Sequence, residues 1–389
     1  MAVALAASPA YVIRPHLGPL PTTALELLLA PAILLGLYAF WAELPWRNPF
    51  TWPALLFLAA ATLDTVFGPD RRAALGLWKA YFVEPMLAGL VIAAMARSRP
   101  DARLLLGGLG VAGTVVALLN IGLDGAAIAS HSYNEVTPPV AIYNTANAVP
   151  LYLEPLLAFA LAIALYADER RERWVAGTLA ALFVVAVLLS DSRLGWITLG
   201  AILLLTAVFH RRRWWVYGVA GAFAVVAFAG SGSVRRRILV EFDPHSDKNT
   251  VALRAALWKS TLNMLLHRPL FGGGLAGFKQ SLEPYRDPSY HEDQIYPHNL
   301  ALNLWTETGL LGLAAFVWIC VQLVRVARPG LRAGPWRRAL AIGMLGMLVA
   351  FAVHGIGDVP YFKNDQALAF WALLAIPLGS GQADNQGSP

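Results

Sequence analysis

The chain has 389 residues, 57% of them hydrophobic and only 14% charged, with a formal net charge of +6. Soluble domains carry about 25% charged residues, so this composition argues against a soluble enzyme, a disordered tail or a disulfide-stapled scaffold. A mean hydropathy of +0.55 describes a polytopic membrane protein, in which basic residues report orientation rather than nucleic-acid binding.

In chain order, Met1–Ile13 is apolar but has no basic n-region and no clean cleavage site. It reads as part of a membrane helix rather than a signal peptide. A bilayer core of about 30 Å needs roughly 20 apolar residues per helix. Runs near that length fall at Ala24–Trp41, Trp52–Phe67, Ala73–Ala96, Leu104–Leu123, Ala148–Ala167, Trp174–Leu189, Leu194–Phe209 and Trp214–Ala229. After a gap come Leu300–Val326, Ala339–Val353 and Ala367–Leu378. The expected fold is all-α, GT-C-like, with about eleven or twelve transmembrane helices. It divides into N-terminal helices over 1–230, an extracytoplasmic loop over 231–299 and C-terminal helices over 300–389.

Arginines set the orientation. Arg97, Arg99 and Arg103 share one side with Arg170, Arg171 and Arg173, with Arg211, Arg212 and Arg213, and with Arg325, Arg328, Arg332, Arg337 and Arg338. The positive-inside rule makes that side cytoplasmic. Gly122–Tyr143 and Gly355–Gln366 are poor in lysine and arginine and face outward, and Arg71 and Arg72 are a local exception. The long polar interruption Ser231–Asn299 is then extracytoplasmic, and too long for a connector. Within it, Thr250–His267 has helical spacing, with Leu253, Leu257, Leu262 and Leu265 expected on one face, and Pro269 ends the helix.

Several residues in this frame can carry chemistry. His291, Asp293 and His298 lie close together, but their spacing is not a helical zinc motif and the single cysteine, Cys320, is far away in an apolar run. No metal is expected. Gly272, Gly273 and Gly274 lack the lysine of a P-loop and read as a tight turn whose amides can approach an anion. Lys79, Glu84, Glu154 and Glu307 interrupt apolar runs, so each pairs internally or faces a wet cavity. Arg193 opens a helix on the outer side against the charge bias, and Arg254 stands four residues before Trp258. Two outer arginines would make a bidentate clamp for phosphate or pyrophosphate. His298, followed by Asn299 at the start of a long helix, is a candidate base at ambient pH.

Taken together, Arg254-x-x-x-Trp258, Pro269-Leu270-Phe271-Gly272-Gly273-Gly274, His298-Asn299 and Glu307-Thr308-Gly309-Leu310-Leu311-Gly312 resemble the core of the O-antigen ligase and O-antigen polymerase superfamily. Ser192-Arg193-Leu194-Gly195-Trp196 resembles the family's serine-arginine helix start. Trp78-Lys79-Ala80-Tyr81-Phe82-Val83-Glu84-Pro85 and the stretch from Asn144 to Glu154-Pro155 resemble its N-terminal half. The resemblance implies an inverting glycosyltransferase of the cytoplasmic membrane, without metal or cofactor. Its donor would be a glycan on undecaprenyl pyrophosphate, and its acceptor lipid A core, another glycan or a protein. Carried over by motif, Arg193 and Arg254 bind the pyrophosphate and His298 is the general base, with Lys79, Glu84, Asn299, Glu307, Gly272 and Gly274 in support. The chain departs from the family at its N-terminus, which reads about one helix short, and before His298, where acids and aromatics are dense. A ligase is favoured over a repeat-unit polymerase or a protein O-oligosaccharyltransferase because a single large loop is the ligase-like layout. The alternative of another class is a polysaccharide transporter lined by the four buried ionisable residues, although no inverted pair of broken helices supports it.

Overall fold

The computed structural model describes residues 1–15, 22–134, 138–215, 217, 218, 221, 239, 250–287 and 294–382. Helices account for 77% of the structure, with no strand among the described residues. They are α1 (Ala2–Ala6), α2 (Ala24–Ala39), α3 (Thr51–Phe67), α4 (Arg71–Trp78), a π-helical turn (Lys79–Val83), α5 (Glu84–Met95), α6 (Arg99–Ala129), α7 (Ala148–Tyr166), α8 (Arg170–Leu189) and α9 (Arg193–Val208). The remainder are α10 (Thr250–His267), α11 (Phe278–Leu282), α12 (Leu300–Gly330), α13 (Pro335–His354) and α14 (Asn364–Gln382).

Among the described residues six spans are long and apolar enough to cross a bilayer: Arg71–Met95, α6, α7, α8, α12 and α13, with shorter apolar helices at α2, α3 and α9. The protein is therefore a polytopic membrane protein. Most of the Trp214–Ala229 run lies outside the described residues. One expectation is corrected at the N-terminus: α1 is a five-residue helix and Ser8–Val12 a 3-10 turn. Pro9 enters one turn after α1, where it cannot donate to an α-helical ladder. Leu5, Ser8 and Tyr11 are instead buried against the bundle.

The bundle is organised around α7, which is buried almost all round and packs on α8 and α13. Further pairs are α3 with α12, α5 with α14, and α9 with α13. Phe57, Phe82, Phe316, Tyr361 and Phe370 lock α3, the π-helical turn, α12 and α14 together with ring centroids 4.9–6.2 Å apart. Val111, Leu118 and Leu119 on α6 stay exposed, as expected of a face turned to acyl chains.

The two ends of the bundle differ in chemistry. At one end Arg99 binds Asp168 at 2.6 Å, Arg103 pairs with Glu169 and Glu172, and Arg99 lies 4.9 Å over the Trp336 ring. At the other end residues 130–134 and 138–147 and the turns 190–192, 294–299 and 355–363 come together. Each starts or ends a spanning helix, so alternation of helix direction gathers them whatever their separation in sequence.

Candidate active site

His298 lies on this second end, in the turn that leads into α12. Asn299 caps the helix by accepting the Leu302 N–H at 3.0 Å, and its amide donates to the Ile356 carbonyl at 2.9 Å. The Leu300 N–H donates to the Gly355 carbonyl at 2.8 Å. The turn after α13 is thereby stitched to the turn before α12. Trp258 of α10 adds a bond from its indole N–H to the Pro297 carbonyl at 3.0 Å. Held on these sides, His298 adopts φ +48°, a left-handed conformation unusual outside glycine. Such strain costs of order 1–3 kcal/mol and persists where the surroundings over-determine it.

The imidazole is partnered on both edges. Its Nε2 hydrogen bonds with the Gln294 side chain at 2.7 Å. Its Nδ1 is buried and lies 3.6 Å from Asp358 Oδ1, an ion-pair distance too long for a hydrogen bond. The His298 side chain is 22% exposed and that of Asp358 only 5%. Tyr296 packs on the ring at 4.5 Å between centroids. Burial alone would push the Asp358 carboxyl up, but the adjacent His298, His354 and Arg254 outweigh it and hold it below the usual carboxylate range. Burial, with Asp358 nearby, raises the Tyr296 phenol and keeps it protonated.

Arg254 reaches this cluster, and Arg193 is tied to the same helix. Ser192 caps α9 through the Gly195 N–H at 3.2 Å, which places Arg193 at the first helical position. Arg193 donates to Thr250 Oγ1 at 3.3 Å, and Thr250 stands one turn before Arg254 on α10. Gly357 is the junction: a Cβ there would lie 3.0 Å from Leu194 Cδ2 and 3.1 Å from Arg254 Nη1. Absence of a side chain lets the guanidinium lie against the backbone beside Asp358. α10 ends at His267 as its spacing predicts, but its buried face is Leu257, Ser260, Thr261, Met264 and Leu265. Leu262 is 43% exposed, which corrects its expected place on that face. Nine residues from Leu253 it lies half a turn round the helix.

Apart from Asn299, the supporting residues separate from the cluster. Lys79 pairs with Glu26 at 2.7 Å, and Glu26 also caps α2 with Thr23, so the internal-pairing reading holds for this lysine. Lys79 opens the π-helical turn and Glu84 follows it, half-buried, at the start of α5. Glu154 pairs with His354 at 2.8 Å in the bundle core, with both side chains 1% exposed. The Glu307 carboxylate accepts the Ala276 N–H at 2.7 Å and braces the glycine turn. In that turn Gly272 has φ +57°, and a Cβ on it would meet the Trp305 carbonyl at 2.3 Å. The Gly273 N–H donates to the Thr306 carbonyl at 2.8 Å, so the run is a tight turn docked on α12, and Gly274 completes it. His291 and Asp293 lie outside the described residues. Among the described residues no group of three metal-ligating side chains converges.

Sequence reading missed Asp358, Tyr296 and Gln294. Asp358 is 60 residues from His298, and no spacing ties them. A faint signal existed in Gly357-Asp358 within an outward turn poor in basic residues.

One end of this helical membrane bundle presents two arginines, a histidine and a carboxylate. Residues 177–317 match the family model described as O-antigen ligase, a segment that includes Arg193, Arg254 and His298. The resemblance read from the sequence is borne out over that segment. Two rickettsial proteins named "Putative polysaccharide ligase" are also similar. The one from Rickettsia typhi is 28% identical over 101 residues, 23% of this chain and 25% of that protein. The one from Rickettsia prowazekii is 29% identical over 82 residues, 20% of each chain. The chain thus matches about a quarter or less of the length of these relatives.

Proposed function

We propose that the protein is an inverting, metal-independent glycosyltransferase of the ligase type. It moves a preassembled glycan from undecaprenyl pyrophosphate to an acceptor hydroxyl at the outer face of the cytoplasmic membrane. The observation that carries this reading is the gathering of Arg193, Arg254, His298 and Asp358 from four separate segments at one end of the bundle. The ligase family match over 177–317 supports ligase over polymerase.

The chemistry follows from charge. A glycosyl pyrophosphate reacts when the negative charge on the departing group is neutralised, and planar guanidinium groups do this bidentately. Arg193 and Arg254 hold the pyrophosphate. The acceptor hydroxyl takes the place of Gln294 at His298 Nε2 and yields its proton there as its oxygen bonds to the anomeric carbon. The bond from that carbon to the pyrophosphate oxygen breaks, and undecaprenyl pyrophosphate leaves with the electron pair. Asp358 faces the opposite ring nitrogen and stabilises the imidazolium as it forms. The polyprenyl chain stays among the exposed apolar helix faces, which accounts for a membrane-embedded fold.

The test uses purified protein, an undecaprenyl pyrophosphate-linked oligosaccharide and three acceptors: lipid A core, a second lipid-linked repeat and a serine-rich peptide. Product on lipid A core, lost in His298→Ala, is expected. Product confined to another acceptor reassigns the branch. Full activity in the variant refutes His298 as the base.

A further inference from the structure

A chamber of about 650 Å³ opens beside the His298 cluster, within the roughly 300–1,000 Å³ typical of ligand sites. Tyr296 and Asp358 form the wall it shares with the cluster, while Arg193 and Arg254 are not among its lining residues. Tyr81, Asn144 and Glu307 of the family-like stretches line it, but the proposed mechanism gives the space itself no role.

Its lining is unusual for a space between membrane helices. Arg14, Lys279 and Lys363 face it, against the carboxylates of Glu307 and Asp358. Both carboxylates are already engaged, Glu307 with the Ala276 N–H at 2.7 Å and Asp358 with the Val359 N–H at 2.9 Å and with His298. No carboxylate of the described residues lies within ion-pair distance of Arg14 or Lys363. Lys363 instead sits 5.8 Å over the Tyr143 ring, a contact that leaves its ammonium open to an anion. Asn303, one turn into α12 and 2% exposed, also lines the chamber, and its Oδ1 is buried with no hydrogen-bond partner among the described residues. A buried amide oxygen left unpaired is costly, and a hydroxyl donor from a bound molecule would satisfy it. Tyr81 and Tyr143 add flat faces of the kind that pack against the C–H side of a sugar ring.

We propose that this chamber is a saccharide subsite that recognises an acidic sugar, a uronate or a sugar phosphate, within the glycan substrates. Arg14 and Lys363 take the acid, Asn303 accepts from a hydroxyl, and the tyrosines pack on the ring. The inference rests on the transferase reading, and it fixes a substrate class that the arginines and His298 leave open. The acidic sugar could belong to the donor glycan or to the acceptor, since both must meet at His298.

The test is direct binding to full-length protein in nanodiscs. The probes are a glucuronate-containing tetrasaccharide and its carboxyl-reduced counterpart, and a phosphorylated oligosaccharide and its phosphatase product. At least one acidic probe is expected to bind about tenfold or more tighter than its neutral partner. Arg14→Gln with Lys363→Gln should erase that difference, and Asn303→Leu should weaken both members of the pair. Acidic and neutral probes that bind alike, or a preference that survives the double variant, would overturn the proposal. Binding of undecaprenyl pyrophosphate, measured in parallel, should not change in the double variant but should weaken in Arg254→Gln. Failure of that second arm alone refutes the transferase reading and leaves the saccharide site standing. Adding lipid-linked donor separates the sources: displacement of the probe assigns the acidic sugar to the donor, and co-binding assigns it to the acceptor.

Discussion

Replacing Asp358 by asparagine removes one charge 3.6 Å from His298 Nδ1 while nearly keeping the side chain's shape. The resting imidazole loses little. The imidazolium that forms as the acceptor proton transfers loses its counter-charge. Unit charges at that separation interact by about 4.6 kcal/mol at an effective dielectric of 20 and about 1.2 kcal/mol in water. With His298 22% exposed and Asp358 5% exposed, the pair lies between these limits. At 1.36 kcal/mol per decade, transfer should slow by roughly ten- to a thousandfold. The assay is initial-rate transfer from a lipid-linked glycan by protein in nanodiscs, with donor affinity measured separately. The loss should fall on kcat, donor binding should hold, and Asp358→Glu should recover part of the rate. Asp358→Asn with an undiminished kcat would refute the assignment.

Three further outcomes are expected. Arg254→Lys keeps the charge but not the planar fork that lies on Gly357, so donor affinity should fall by about ten- to a hundredfold if a charge-assisted bond worth roughly 1.5–3 kcal/mol is lost; titration with undecaprenyl pyrophosphate checks it. Gly309 has φ +62°, and a Cβ there would stand 2.0 Å from the Leu270 carbonyl. Gly309→Ala should cost roughly 1–3 kcal/mol or more and lower Tm measurably, undocking the glycine turn from the kink in α12. The third concerns acid stability. Because Asp358 is held below its unfolded value, its contribution is fully present above about pH 3.9, the ordinary aspartate value, and is lost as pH falls through its folded pKa. Wild type should therefore exceed Asp358→Asn in thermal stability at neutral pH, and the gap should close in acid; a gap independent of pH would contradict this.

Much of the molecule was legible in the sequence because a bilayer makes simple demands. Length and apolarity mark the runs that become helices, and arginine asymmetry sets one end of the bundle apart. Arg193, Arg254 and His298 stood out for the same reason, as polar exceptions or family motifs near helix ends. The N-terminal segment misled because its apolarity over Met1–Ile13 describes burial, and burial against neighbouring helices looks the same as burial in lipid. Leu262 misled because similar leucines do not share a face unless their angular positions agree.

Tertiary structure alone decided which residues meet. Nothing in sequence ties Asp358 to His298, Glu26 to Lys79, or Arg14 to Lys363. Those meetings depend on which helices pack side by side, a choice made by knob-and-gap fit at contacts such as Gly36 against Val91 and Gly343 against Phe159. Hydropathy is blind to that fit, because every spanning helix is apolar. The sequence marked the apolar runs and where their polar exceptions lie, and lateral packing determined which exceptions share a site.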